Sequence, residues 1–407
     1  MTISLHRTVA IIVSSYAAMQ LLFHFLNLPN TILYVLPISL IPLFIAFKAF
    51  SESDQHDYDQ LSLFLLIFAV LLSAVYFVSH PYPDVYDQLK FLFIFVFYFM
   101  GANINLYASI KTFRQAKFLL YGLPTILLAY YLFVLDGSSL YRGSVAFLTN
   151  RNNFSGLVIT LFFALSVVST HRHLMIILLP IVAIIGTLGG IVALLGGVFI
   201  AYFWRPKTFI MLGCTVAGFL GLLLFLDIGL TQRLVNAYTL LSNILASNLV
   251  DSLTAMSFAD AFQVVGSDDT SVFFRLKQWF EIIVLMLNNT SYLVFGFGFS
   301  ASETLTTSGL LPHNDWLRVL FEAGLLGFLI FCTLIFVALR DVALYDKQSY
   351  VLALSLFIFM LTDNLIDNFL ISFILFYFLG LIRQAAQIIR LDIDQSNEPS
   401  SLTSGVS

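Results

Sequence analysis

Apolar runs close to the ~20 residues that a helix needs to cross a hydrocarbon layer recur along most of this chain, and they leave few folds open. They fall at 9–26, 31–47, 61–79, 91–107, 118–135, 154–170, 174–188, 190–204, 208–228, 317–338, 351–366 and 367–384. Inside lipid a backbone has to satisfy its own hydrogen bonds, so such runs fold as helices. The expected fold is an all-α polytopic membrane protein of about twelve transmembrane helices. The seventh and eighth runs, like the eleventh and twelfth, are joined by very tight turns. Each of those pairs reads either as two spans or as a re-entrant hairpin.

Composition agrees. Hydrophobic residues make up 59% of the chain and charged residues 10%, where a soluble domain is roughly a quarter charged. A soluble or purely structural protein is excluded on that ground. The formal net charge of -4 arises from few charges and gives no case for a nucleic-acid partner. Cys214 and Cys332 both sit inside apolar runs, with neither metal-ligand spacing nor a disulfide framework. The first run lacks a small-residue cleavage site and is followed at once by further spans, so it reads as a retained helix.

Lys and Arg mark the inward side of membrane proteins. With the N-terminus inside, Arg7, Lys48, Lys111, Arg114, Lys117, Arg172, Arg205, Lys207, Arg340, Lys347, Arg383 and Arg390 all face inward, and both termini are cytoplasmic. Removing one span would put these clusters on opposite faces. Lys90, Arg142, Arg151, Arg233, Arg275, Lys277 and Arg318 are left facing outward. Lys90, Arg233 and Lys277 read as solvated loop charges.

Polar residues collect in two outward segments, 136–153 and 229–316. The chain divides accordingly into N-terminal membrane helices (1–135), central membrane helices with an Arg-bearing outward loop (136–228), a long outward loop with interfacial helices (229–316), C-terminal membrane helices (317–384) and an inward tail (385–407). Within the long loop, 230–250 has helical apolar spacing suited to an interface. FFRLKQWFEIIVLML (273–287) reads as a second helix partly sunk in the membrane, GFGFS (296–300) as a turn, and PHNDW (312–316) closes the loop. Asn314 or Asp315 is a natural N-cap for the tenth span. His313 therefore stands at a helix N-terminus, where unpaired N–H groups favour phosphate. Asp363, Asn364, Asp367 and Asn368 form a further polar cluster near the turn between the last two runs. Carboxylates at membrane depth are costly and normally face a cavity or a partner. Arg318 and Glu322, four residues apart, are expected to pair with each other.

HNDWLRVLFEAGLLG (313–327) spaces His-Asn, nine residues, Gly, two residues and Gly. In that setting it resembles the signature of the bacterial O-antigen ligase and O-antigen polymerase superfamily. NRNNFSG (150–156) is similar to the family's Asn/Arg-rich segment ahead of a span, and 274–300 to its arginine-led helix running to a Gly-x-Gly turn. The resemblance covers roughly 140–330. GTLGGIVALLGG (186–197) departs from the family pattern, which commonly has an Arg there.

The resemblance implies a glycosyltransferase C-like architecture in the bacterial inner membrane, with the long loop and active site facing the periplasm. It implies transfer of a glycan from undecaprenyl diphosphate to an acceptor hydroxyl, with no metal or other cofactor. Catalytic roles then fall to His313, as base for the acceptor, and to Arg275 and Arg151, as cations for the diphosphate. Arg142, Asn314, Asp363 and Asp367 are the substrate-binding candidates, and Gly324 and Gly327 are expected to serve helix packing. Acceptor choice separates an exopolysaccharide or O-antigen polymerase, which we favour, from a ligase acting on lipid A-core. Membrane lipids and a chain-length regulator complete the expected partners. A protein-glycosylating relative fits less well, because the chain lacks an added C-terminal outward region. From another class, a transporter or flippase for lipid-linked oligosaccharide remains, although the two halves show no internal repeat of the kind common in transporters.

Overall fold

The computed structural model describes residues 59–79, 84–103, 151–168, 187–202 and 271–397, with a few single positions between 178 and 242. The runs at 9–26, 31–47, 118–135 and 208–228, most of 174–188 and of the interfacial segment 230–250, and Arg142 and Arg233 lie outside the described residues.

Among the described residues the fold is helical. The long helices are α1 (Gln60–Ser79), α2 (Val85–Ala102), α3 (Arg151–Val168), α4 (Leu188–Tyr202) and α5 (Ser271–Asn288). After a short α6 (Ala301–Thr304) come α7 (Asp315–Tyr345), α8 (Lys347–Phe359) and α9 (Phe369–Asn397). Among the described residues four stretches, Gln60–Val78, Val85–Ala102, Asp315–Tyr345 and Phe369–Arg390, are long and apolar enough to cross a membrane. The protein is an all-α membrane protein.

Close backbone approach holds the bundle together where lipid offers little hydrophobic drive. Helices α2 and α9 meet at paired glycines: a Cβ on Gly101 would lie 2.1 Å from Tyr377 O, and one on Gly380 2.2 Å from Tyr98 O. Stacked and edge-on rings of Phe93, Phe97, Phe369, Phe373 and Tyr377 fill the same seam. The glycine-rich α4 packs in the same way on α8, where a Cβ on Gly197 would meet Ser355 Oγ at 2.2 Å.

Several boundaries differ from the sequence expectation. Helix α2 begins at Val85, not 91, because Asp84 caps it by accepting from Tyr86 N and Asp87 N at 3.0 and 3.2 Å. Asp87 and Lys90 are thereby carried into the bundle. Lys90 is not a solvated loop charge: it is buried and paired with Asp87 at 2.8 Å and with Asp367. Lys277 is likewise buried, 3.9 Å from Glu281. Helix α8 stops at Phe359, which leaves 360–368 as a polar turn. Helix α9 runs past the apolar stretch to Asn397, anchored by Arg383 and Gln387 on Asp59 at 2.8 and 2.7 Å.

Helix α7 is not continuous. Gly324 has φ 64° and ψ -172°, which breaks the helix one third of the way along. The carbonyls and amides freed by the break pair with the turn segment that follows α5. Phe297 N and Gly298 N donate to Phe321 O and Glu322 O at 2.9 and 3.1 Å, and Leu325 N and Leu326 N donate to Leu293 O and Val294 O at 2.8 and 3.2 Å. Tyr76 Oη donates to Ala323 O. Non-helical backbone is tolerated at membrane depth only when its polar groups are met by protein, as they are here. Gly324 thus serves a backbone crossing and not helix packing. Gly327 does pack, with its Cβ direction facing Leu72 and Phe91.

Candidate functional site

The crossing fixes where the long loop returns. Helix α5 runs beside the upper part of α7, so its first turns stand next to the loop 310–314. Trp279 Nε1 donates to Pro312 O at 2.6 Å, and Gln278 Nε2 donates to Leu310 O. Phe274 meets the His313 ring edge-on, with centroids 5.9 Å apart. His313 itself adopts a left-handed φ of 48°. Such a backbone is uncommon for a residue with a side chain and marks a position held by its surroundings. Of the two caps the sequence offers, Asn314 is the N-cap of α7, its Oδ1 accepting from Leu317 N at 3.0 Å.

The turn after α8 closes the site from the other side. Asp315 N donates to Met360 O at 2.8 Å, while Asp315 Oδ2 accepts from Leu365 N and Ile366 N at 2.6 and 3.0 Å. This clamp presents Asp363 to His313. Asp363 Oδ1 lies 3.3 Å from His313 Nδ1 and also accepts from Asn364 N at 2.9 Å. Asp363 is 1% exposed and the His313 side chain 27% exposed. A carboxylate oxygen accepting from Nδ1 goes with the tautomer that has its proton there, which leaves the Nε2 lone pair free to accept one. Asp363 Oδ2, Asn364 Oδ1 and Asp315 Oδ1 are buried acceptors without a hydrogen-bond partner among the described residues.

An ionic network braces this arrangement. Arg318 donates to Asp87 Oδ2 at 2.6 Å, to Glu322 Oε2 at 3.0 Å and to Asp367 Oδ1 at 3.4 Å. The expected Arg318–Glu322 pair is present, and it is part of a larger cluster. Ser302 Oγ donates to Glu322 at 2.5 Å, and Ser300 Oγ to Asp84 and Asp87 at 2.7 and 3.0 Å. With every face of its guanidinium engaged, Arg318 acts as a strut between α2, α7 and the 360–368 turn. Asp367 contacts cations of this network, whereas Asp363 is spent on His313.

Of the other candidates, Arg275 is half-buried on the first turns of α5, next in sequence to Phe274. It has no carboxylate partner among the described residues. Arg151 opens α3, but its side chain lies outside the described residues. Sequence reasoning missed Glu303, a half-buried carboxyl on α6. Burial and the nearby Asp87 charge push it above the usual carboxylate range, against the pull of Arg318. No linear pattern marks it, since a four-residue helix carries no periodicity.

Chemically, the site offers a histidine paired with a buried carboxylate at a helix N-terminus, with Arg275 next in sequence to the Phe274 that meets the His313 ring. That set can remove a proton from a hydroxyl and meet an anion. Among the described residues no group of three or more His, Cys, Asp or Glu side chains is placed to hold a metal ion. No protein-family model matches the chain, and no curated protein sequence matches it.

Proposed function

We propose that this protein is a membrane glycosyltransferase that moves a glycan from a lipid diphosphate of the undecaprenyl type to an acceptor hydroxyl. The observation that carries the reading is the His313–Asp363 pair, set at the N-terminus of a membrane helix. In the reaction, His313 Nε2 takes the acceptor proton as the acceptor oxygen attacks the anomeric carbon. The glycosyl–phosphate bond breaks, and the lipid diphosphate leaves with the bonding pair. Asp363 steadies the imidazolium that forms. Arg275, with Arg151 in the sequence reading, meets the charge of the departing diphosphate, for which a guanidinium fork suits better than an ammonium.

The finer expectations belong to the same reading: about twelve spans, both termini inside, and the site on the periplasmic face of an inner membrane. Polymerase action, with a second lipid-linked glycan as acceptor, is the favoured form, and ligation to lipid A-core is the alternative. The test is transfer in membranes carrying equal amounts of wild type, His313→Ala and Arg275→Ala. Both variants are expected to lose transfer, and wild-type rates from both would rule out the site. A protein that moves labelled lipid-linked glycan across the bilayer without altering its length is a transporter.

A further inference from the structure

The end of the bundle opposite His313 carries a second polar cluster. Arg318 and Asp341 lie 23 residues apart on α7, on either side of the Gly324 break. Asp341 is fully buried and receives three arginines. Arg383 Nη1 donates to its Oδ2 at 2.8 Å, Arg340 Nε to its Oδ1 at 3.3 Å, and Arg390 Nη2 to that same Oδ1. Arg383 also binds Asp59 at 2.8 Å. Among the described residues two carboxylates face three guanidinium groups, and Arg340 and Arg390 share one oxygen of Asp341.

The two arginines that share this oxygen lie at the rim. The Arg383 side chain is 7% exposed, but those of Arg390 and Arg340 are 32% and 47% exposed. Among the described residues neither has a second carboxylate partner. Because both bond the same oxygen of Asp341, their guanidinium groups are held side by side with N–H donors to spare. Like charges in contact repel, so an anion between them would be stabilising. Arg340 also ends a helical stripe of exposed apolar side chains, Leu325, Leu329 and Phe336, and Leu344 follows it one turn on. That stripe is the lipid-facing side of α7, and the arginine pair sits where it meets the headgroups.

We propose that Arg340 and Arg390 form a binding site for the phosphate of an anionic phospholipid. The two free oxygens of a phosphodiester suit two guanidinium forks. The site is separate from the His313 centre and does not depend on the proposed reaction.

The test uses the full chain in an uncharged detergent, titrated with phosphatidylglycerol, phosphatidylcholine or inorganic phosphate. Bound lipid is read by native mass spectrometry, and melting temperature is followed alongside. Phosphatidylglycerol is expected to bind and stabilise where phosphatidylcholine does not. Arg340→Gln and Arg390→Gln should each weaken that binding roughly tenfold or more, the cost of a charge-assisted hydrogen bond. Should Arg390→Gln fail to fold, Arg340→Gln decides alone, with Arg340→Lys expected between it and wild type. Equal binding of the two lipids, or variants that bind like wild type, overturns the proposal. Saturation by inorganic phosphate at the same concentrations assigns the pair to a free anion and overturns the headgroup assignment.

Discussion

Replacing Gly324 by Ala tests whether the backbone crossing is what places the loop ahead of His313. At φ 64° and ψ -172° a Cβ would lie 2.3 Å from Gly296 N, 2.5 Å from Phe295 C and 2.5 Å from Val294 O. All three are backbone atoms, so no side-chain rotation relieves the overlap and the two segments must part. Backbone strain at such a position costs about 1–3 kcal/mol. The crossing carries the hydrogen bonds from Phe297 N, Gly298 N, Leu325 N and Leu326 N. At about 0.5–1.5 kcal/mol each, their loss adds roughly 2–6 kcal/mol. Gly309 supplies the control, since it has a φ of 62° but nothing within 4 Å of its Cβ direction. Gly309→Ala therefore incurs only the left-handed strain of about 1–2 kcal/mol. Thermal melting of both variants in detergent separates the two effects. Gly324→Ala should lose several times more stability than Gly309→Ala, and equal losses would refute the crossing as a stabilising element.

Arg318→Met should be strongly destabilising, by about 3–5 kcal/mol, because it leaves Glu322 buried without a cation and Asp87 with Lys90 alone. Adding Glu322→Leu should recover part of the loss in melting temperature. Glu303→Gln should raise melting temperature at neutral pH, because burial and Asp87 disfavour the ionised carboxyl that Gln replaces. Asp59 gives an acid-side signature. Burial raises its carboxyl, but the hydrogen bond and charge of Arg383 and the Ser62 donors outweigh that and hold it below the usual range. Its stabilisation is complete above the unfolded value of about 3.9 and is lost as pH falls through the lower folded value. Melting curves should therefore show wild type losing stability more steeply than Asp59→Asn below about pH 4.

Long apolar runs made α1, α7 and α9 legible to within a few residues at the ends that begin them, because hydropathy alone decides such helices. The start of α2 was not legible. Asp87 and Lys90 look like loop residues until the partners that neutralise them, Arg318 and Asp367, are in place. Gly324 illustrates a different limit. In an apolar helix, glycines at small spacing read as packing sites, and only the segment 293–298 lying across α7 shows that one of them breaks the helix. At the site, His313 and the Asn314 cap followed from local order, since capping acts within four residues. The Asp363 partner did not, being fifty residues away and brought in by the Asp315 clamp on 365–366. Arg340, Arg383 and Arg390 were legible as charges but not as a cluster, because one buried carboxylate on α7 gathers them.

The central claim is that His313, oriented by Asp363, removes the acceptor proton in glycan transfer. The most direct measurement is transfer by the purified protein in proteoliposomes, supplied with a glycan on undecaprenyl diphosphate and following both product length and released lipid diphosphate. Wild type should lengthen or relocate the glycan and release the carrier in equal amounts. His313→Ala should lower the rate by roughly 10²–10⁴-fold, the usual contribution of a general base. Asp363→Asn should fall between the two, with its melting temperature little changed. Undiminished transfer by His313→Ala, or no carrier released by folded wild type, would contradict the account.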